Sequence, residues 1–199
     1  RCMVTLATLT TVGGLSRFAE ATEEALKASM STVEIKETLY QCAPYIGITR
    51  VETALEAVNA ALKALGQNPT PASQSTVNEN NRFEKGLAVQ KSIFGAAIDK
   101  MHASTPKELE YINKQALTGY CFGDFYTRKG LDLKARELIP FPAIMCLGGC
   151  EPQLRAHTGG NLSVGNTRQD LIDTIMVAMP YIGFPRTLNA LAVVNEIAK

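Results

Sequence analysis

Tryptophan is absent from this 199-residue sequence, histidine occurs only twice, and aromatic residues make up 7% of it. The formal net charge is +1, with 20 basic and 19 acidic side chains dispersed along the chain, so no basic patch marks a nucleic-acid or anionic-membrane surface. No apolar run reaches the roughly 18 residues of a membrane span, and no basic start followed by an apolar segment reads as a leader. The five cysteines, Cys2, Cys42, Cys121, Cys146 and Cys150, are an odd number without the spacing of a disulfide framework or a zinc cage. A reducing, cytoplasmic compartment is therefore expected, and most of these thiols should be small buried hydrophobes. The chain opens at Arg1 inside an apolar pattern, which leaves open a signal peptide removed upstream.

What the sequence does contain is periodic Ala, Leu, Ile and Met, and a repeat. Pro44-Tyr45-Ile46-Gly47 recurs as Pro180-Tyr181-Ile182-Gly183. Beyond it Arg50 matches Arg186, Ala54 matches Ala190, Val58-Asn59 matches Val194-Asn195, and Lys63 matches Lys199. Upstream, Gly13-Gly14 answers Gly148-Gly149 and Arg1 answers Arg136, with the register displaced by one residue in between. One helical unit of roughly 65 residues has been used twice.

In the first unit the pattern predicts helices over residues 3–12, 16–28, 35–46 and 51–65. Ser31-Thr32-Val33-Glu34 has the form of a capping box before the third. The matching helices of the second unit are expected over 133–147, 151–164, 168–182 and 185–198, with Thr167 as a cap and Pro185 opening the last. Pro140 and Pro142 should kink or break the first of these, since each removes a backbone donor and clashes with the preceding turn. Residues 66–81 are polar and read as a flexible linker. A helical pattern then covers 82–101. Thr105-Pro106-Lys107-Glu108 reads as another capping box, leading a helix to about Tyr126. The expected segments are thus 1–65, a linker over 66–81, and 82–199.

Chemistry concentrates around Gly148-Gly149-Cys150-Glu151-Pro152-Gln153-Leu154-Arg155-Ala156-His157. Two glycines end one helix, and Pro152 suits the first turn of the next. Cys150 then stands among unpaired backbone donors at the positive end of a helix, a setting that favours a thiolate. His157 lies two turns on, about 10 Å along the axis, too far for a direct hydrogen bond to the thiol. Glu137 is a further carboxylate upstream.

These residues resemble the carboxymuconolactone decarboxylase family, which includes the alkylhydroperoxidase D proteins. Arg82-Phe83-Glu84-Lys85-Gly86-Leu87, Phe122-Gly123-Asp124-Phe125-Tyr126, Gly130-Leu131-Asp132, Leu154-Arg155-Ala156-His157 and the stretch from Pro180 to Gly183 follow that family's motifs in order and spacing. Residues 82–199 resemble one complete subunit, and residues 1–63 the core of a second copy. The resemblance implies an all-α helical bundle with two homologous lobes, assembled as hexamers of single units or trimers of fused pairs.

Cys150, His157 and Glu137 resemble the first cysteine, the histidine and the glutamate of the alkylhydroperoxidase D relay. The relay's second cysteine is replaced by Gln153, which leaves Cys146 as the candidate resolving thiol if Gly148 and Gly149 bend the chain. In the first unit Cys2, Leu15 and Thr22 stand where Glu137, Cys150 and His157 stand in the second, so one site per chain is expected. The leading expectation is peroxidase-type thiol chemistry on a hydroperoxide, with Cys146 or an external thiol as reductant. The alternative is a lyase acting on a small carboxylated lactone, with His157 as acid or base and Arg155 or Arg128 holding the carboxylate. Asp124 and Glu151 stand at family-matched positions and are further substrate-binding candidates. Neither reading requires a metal or an organic cofactor. A third is a non-catalytic scaffold whose site has decayed.

Overall fold

The computed structural model describes residues 1–199, which form ten α-helices and no strand. The chain divides into two compact units, one made of Arg1–Ala72 with Lys134–Lys199, the other of Ser73–Leu133. This division of space cuts the chain elsewhere than the sequence segments do. The repeat is a pattern within the sequence, whereas the compact units describe what packs on what.

The first compact unit holds both repeats. Its first repeat comprises α1 (Cys2–Val12), α2 (Phe18–Lys27), α3 (Thr32–Ile46) and α4 (Ile48–Ala64). Ser31 caps α3 as expected: its hydroxyl accepts from Glu34 N at 3.2 Å, and the Glu34 carboxylate accepts from Ser31 N at 2.7 Å. Leu6, Leu9, Phe18, Ile35, Leu39 and Leu62 are sealed from solvent in its core.

After the other compact unit, the second repeat continues as α7 (Leu133–Leu138), α8 (Pro140–Leu147), α9 (Glu151–Ser163) and α10 (Arg168–Ile197). The expected break falls at Ile139, so Pro140 opens α8 at a position where a missing N–H costs nothing. Thr167 caps α10 in a reciprocal box with Asp170. The two expected C-terminal helices meet within α10 at a kink at Gly183, whose φ of 72° and ψ of 172° are not helical. Its mate Gly47 takes φ 87° and ψ 152° between α3 and α4. The repeated Pro-Tyr-Ile-Gly therefore encodes one bend used twice, at positive φ that favours glycine. Phe141, Ile144, Leu154, Leu171, Ile175 and Val194 form the core of this repeat. The repeats interlock, with α1 packing on α8 and α10 and α3 packing on α8.

In the second compact unit, the pattern expected to form one helix over 82–101 is interrupted at Gly95, giving α5 (Arg82–Phe94) and α6 (Ala97–Ser104). The capping box expected at Thr105 does not form. The Thr105 hydroxyl donates back to Met101 O at 2.7 Å, and Pro106 leads a short 3₁₀ turn over Lys107–Leu109. The segment Tyr111–Tyr126 winds as a wide π-helix rather than an α-helix. It lies against α5 so closely that a Cβ on Gly86 would strike the Thr118 carbonyl, and one on Gly123 the Arg82 carbonyl.

Residues 66–81 have no regular structure, yet they are tied down within each unit. Lys36 Nζ donates to Pro69 O at 2.6 Å, and the Thr76 hydroxyl donates to Thr127 O at 2.8 Å.

Candidate functional site

The first buried ionisable pair of interest lies between α7 and α9. Glu137, fully buried, places Oε1 2.6 Å from Nδ1 of His157, which is 8% exposed. A carboxylate that accepts here pairs with the tautomer carrying its hydrogen on Nδ1. The backbone under this pair is stapled by Asn161. Its Nδ2 donates to Glu137 O at 2.9 Å and to His157 O at 2.7 Å, while its Oδ1 accepts from Asn166 Nδ2 at 2.8 Å. Helix α9 cannot rotate away from α7 without breaking the bond from Asn161 to Glu137 O.

The first repeat supplies the opposite wall. Glu37, Gln41 and Tyr45 follow one another at four-residue intervals on α3 and so share one face. Gln41 Oε1 accepts from Arg136 Nη1 at 2.9 Å, and Glu37 Oε2 accepts from Nη2 at 3.0 Å. Tyr45 meets the His157 ring edge-on, with centroids 5.1 Å apart and planes at 82°. The buried Arg136 charge is thereby neutralised one residue from Glu137, and the imidazole is held from a second side.

Cys150 stands apart from this pair. It precedes the first turn of α9, and its thiol donates a long hydrogen bond to Gly148 O at 3.6 Å. Cys150 and His157 are not hydrogen-bonded to each other, as their spacing on one helix requires. The thiol instead lines a cavity of about 10 Å³, no larger than a water, together with Gly148, Glu151, Leu154, Arg186 and Asn189. Gly148 takes φ 73° and ψ 154° there, a conformation that favours glycine, and a Cβ on it would stand 3.1 Å from Arg186 Nε.

Cys146 is buried on α8, and burial pushes its thiol up to about 12 against the pull of the Thr8 hydroxyl and the Arg186 charge. As a resolving thiol it would first have to reach solvent and ionise. Cys42, also buried, is pushed up by burial and by its neighbour Cys146.

The remaining candidates do not gather around His157. Arg155 turns outward, its Nε donating to the two Glu196 carboxylate oxygens at 3.1 and 2.9 Å. Glu151 lines the Cys150 cavity. Asp124 and Arg128 belong to the other compact unit, where Asp124 is ion-paired with Arg82 and burial raises its carboxyl. Nowhere do three His, Cys, Asp or Glu side chains converge as metal ligands would. No helix is long and apolar enough to cross a membrane.

A model of the carboxymuconolactone decarboxylase family matches residues 1–60 and 113–196. The chain belongs to that family. Over 129 residues it is 25% identical to 4-carboxymuconolactone decarboxylase of Acinetobacter baylyi, covering 62% of this chain and 91% of that protein. Over 127 residues it is 24% identical to nitrosuccinic acid decarboxylase of Metarhizium robertsii, covering 63% of this chain and 88% of the other. A 15.0 kDa protein of Paracoccus denitrificans of no stated activity is 34% identical over 77 residues, covering 38% of this chain and 58% of that one. The first matched segment covers α1 to α4, and the second runs from within the π-helix through α7 to α10.

Sequence reading found Glu137, His157 and Cys150 but missed Glu37, Gln41, Tyr45, Asn161 and Arg186. Two signals were available: Tyr45 stands inside the repeated Pro-Tyr-Ile-Gly, and Arg186 is the mate of Arg50 just beyond it. Nothing in the sequence says that α3 of one repeat faces α7 and α9 of the other.

Proposed function

We propose that this protein is an enzyme of the carboxy-lyase type, with His157 as its general acid and base and Glu137 fixing the imidazole. The observation that carries the reading is the buried His157 Nδ1 to Glu137 Oε1 contact at 2.6 Å, formed without Cys150. A carboxylate behind Nδ1 sets the tautomer and stabilises the imidazolium formed when Nε2 takes a proton. In decarboxylation the bond to the carboxyl carbon breaks and CO2 leaves. The electron pair passes to the adjacent carbon and into a conjugated acceptor such as a lactone carbonyl, and Nε2–H then protonates that carbon. No electron acceptor is consumed. Two relatives named as decarboxylases support this class of substrate: a small acid whose carboxylate lies next to an electron-withdrawing group.

The test is CO2 release from a panel of small carboxylated lactones and nitro acids, run in D2O. Turnover with one deuterium on the product carbon supports the reading. A panel on which no acid is turned over, beside a protein that consumes hydroperoxide, rejects it.

One observation favours a second reading, thiol peroxidase chemistry: Cys150 is half-buried at the start of α9 and shares its cavity with Arg186. Its thiolate would attack a peroxide to give sulfenic acid and water or alcohol, and an external thiol would reduce it. Dimedone trapping at Cys150 after a stoichiometric hydroperoxide pulse tests that reading. In either case the substrate is a small molecule, and we take the working form to be a homo-oligomer, a trimer of two-repeat chains or a hexamer, to be measured by light scattering.

A further inference from the structure

Four buried side-chain atoms have no hydrogen-bond partner: the hydroxyls of Thr8 and Thr22, Arg82 Nε and Gln41 Nε2. Arg82 lies in the other compact unit, and the Thr8 hydroxyl sits beside the Cys146 thiol. Thr22 stands where the first repeat lacks the histidine. Gln41 alone of the four is on the α3 face that meets His157. Tyr45, one turn and about 6 Å further along that face, touches the imidazole edge-on.

The orientation of the Gln41 amide is fixed. A guanidinium can only donate, so the amide oxygen is the atom 2.9 Å from Arg136 Nη1, and the Nε2 hydrogens are turned elsewhere. Gln41 is 0% exposed, so solvent does not meet them either. A buried donor left unmet is costly, and a site built to hydrogen-bond its substrate holds such a group until the substrate arrives. The repeat offers an internal comparison. Counted from the caps Ser31 and Thr167, Gln41 answers Val177, while Tyr45 answers Tyr181. The tyrosine is kept on both sides. The amide and the imidazole occur together on one side and are absent together from the other, where Val177 and Thr22 stand.

We propose that Gln41 is a second catalytic residue of the site, contributed by the first repeat, whose Nε2–H donates to the oxygen that becomes negative as CO2 leaves. The inference rests on the carboxy-lyase reading and supplies what His157 does not. As the bond to the carboxyl carbon breaks, the electron pair moves through the adjacent carbon onto the oxygen of the conjugated acceptor and forms an enolate. Gln41 gives that oxygen a hydrogen bond and no proton. His157 delivers the proton to carbon, the pair returns, and the carbonyl is restored. A donor fixed in a wall that excludes water favours the enolate over the neutral carbonyl, so it lowers the barrier more than it tightens substrate binding. Gln41 is sealed and His157 is 8% exposed, so a ligand reaches them as the half-buried Tyr45 turns aside.

Tetronate, the stable enolate of a five-membered lactone, carries this charge without reacting, and γ-butyrolactone is its neutral counterpart. The full chain is titrated with each by calorimetry. Tetronate binds saturably and about tenfold or more tighter than γ-butyrolactone, and Gln41→Met removes that preference. A residue that only holds Arg136 would change both affinities alike or neither. Should Gln41→Met fail to fold, nitrogen-15 spectra of the wild type decide: the Gln41 side-chain amide, assigned by its absence from Gln41→Glu, which keeps an acceptor for Arg136, moves downfield as tetronate is added. On an acid that is turned over, Gln41→Met lowers kcat about 10²- to 10³-fold with KM nearly unchanged. Tetronate that binds no tighter than γ-butyrolactone, a preference that survives in Gln41→Met, or a Gln41 amide that does not move overturns the proposal. The two readings fail separately. Gln41-dependent tetronate binding in a protein that decarboxylates no acid rejects the lyase and leaves the donor, whereas turnover unchanged in Gln41→Met rejects the donor and leaves the lyase.

Discussion

Arg136 and Glu37, 99 residues apart in sequence, form an ion pair at 3.0 Å in which the side chains are 1% and 2% exposed. The pair joins α7 of one repeat to α3 of the other, directly beneath the catalytic candidates. Removing one partner leaves a buried charge uncompensated, so Glu37→Ala should lose about 3–5 kcal/mol of stability in urea unfolding. Replacing both, as Arg136→Met with Glu37→Leu, should cost less than either single change. A double variant as damaged as the sum of the singles would show that the pair is not the link.

Asn161→Ala should destabilise the chain by about 1–3 kcal/mol, since it removes two donated bonds and an accepted one at a buried position. Because those bonds tie Glu137 to His157, turnover should fall further than the loss of folded protein explains. Equal loss of both, measured as activity per folded molecule, would make Asn161 a packing residue only.

Cys146 gives a dependence on pH whose sign is fixed by its thiol, which burial raises from the ordinary 9.0 to about 12. The folded state holds this proton more tightly than the unfolded chain. Its contribution is therefore complete below pH 9.0 and is lost as pH rises toward about 12. The slope it adds is about 1.4 kcal/mol for each pH unit of that window. Urea midpoints measured across the window should fall less steeply in Cys146→Ala than in the wild type; parallel curves would count against the burial of this thiol. At neutral pH the same burial makes Cys146 slower to alkylate than the half-buried Cys150, which peptide mapping would reveal.

Helix α10 begins at the box between Thr167 and Asp170, and Thr167→Ala should cost about 1 kcal/mol in thermal or urea unfolding. The backbone and hydroxyl of Thr167 hold the Asp170 carboxyl below its usual range. That contribution is present above the unfolded value and fades as the solution is acidified through the folded one, so the variant's deficit should shrink in acid.

Much of this architecture was legible because its signals are local. The caps at Ser31 and Thr167 need only residues three apart, the Pro140 break needs one proline, and Gly47 and Gly183 mark the same bend through a repeated tetrapeptide. The failures have local causes too. Thr105 has the composition of a cap, but its hydroxyl is taken by the carbonyl of Met101, and the π-winding of Tyr111–Tyr126 leaves no periodicity that composition reveals. The site was half legible. Glu137 and His157 could be read from family position, whereas Glu37, Gln41 and Tyr45 act across the interlocked repeats, a contact that no spacing within either repeat encodes. The separation of Cys150 from His157 was legible as well: two helical turns exclude a direct hydrogen bond, and the thiol bonds to Gly148 O and faces a cavity with Arg186 instead.

The central claim is that His157, held by Glu137, performs the chemistry and Cys150 does not. Its most direct test is the turnover of a carboxylated acid from the panel by His157→Ala and Cys150→Ser, measured side by side on folded protein. The account predicts a fall of about 10²- to 10⁴-fold for His157→Ala and nearly unchanged kcat for Cys150→Ser. Turnover that survives the loss of His157 but disappears with Cys150 would contradict it and move the chemistry to the thiol.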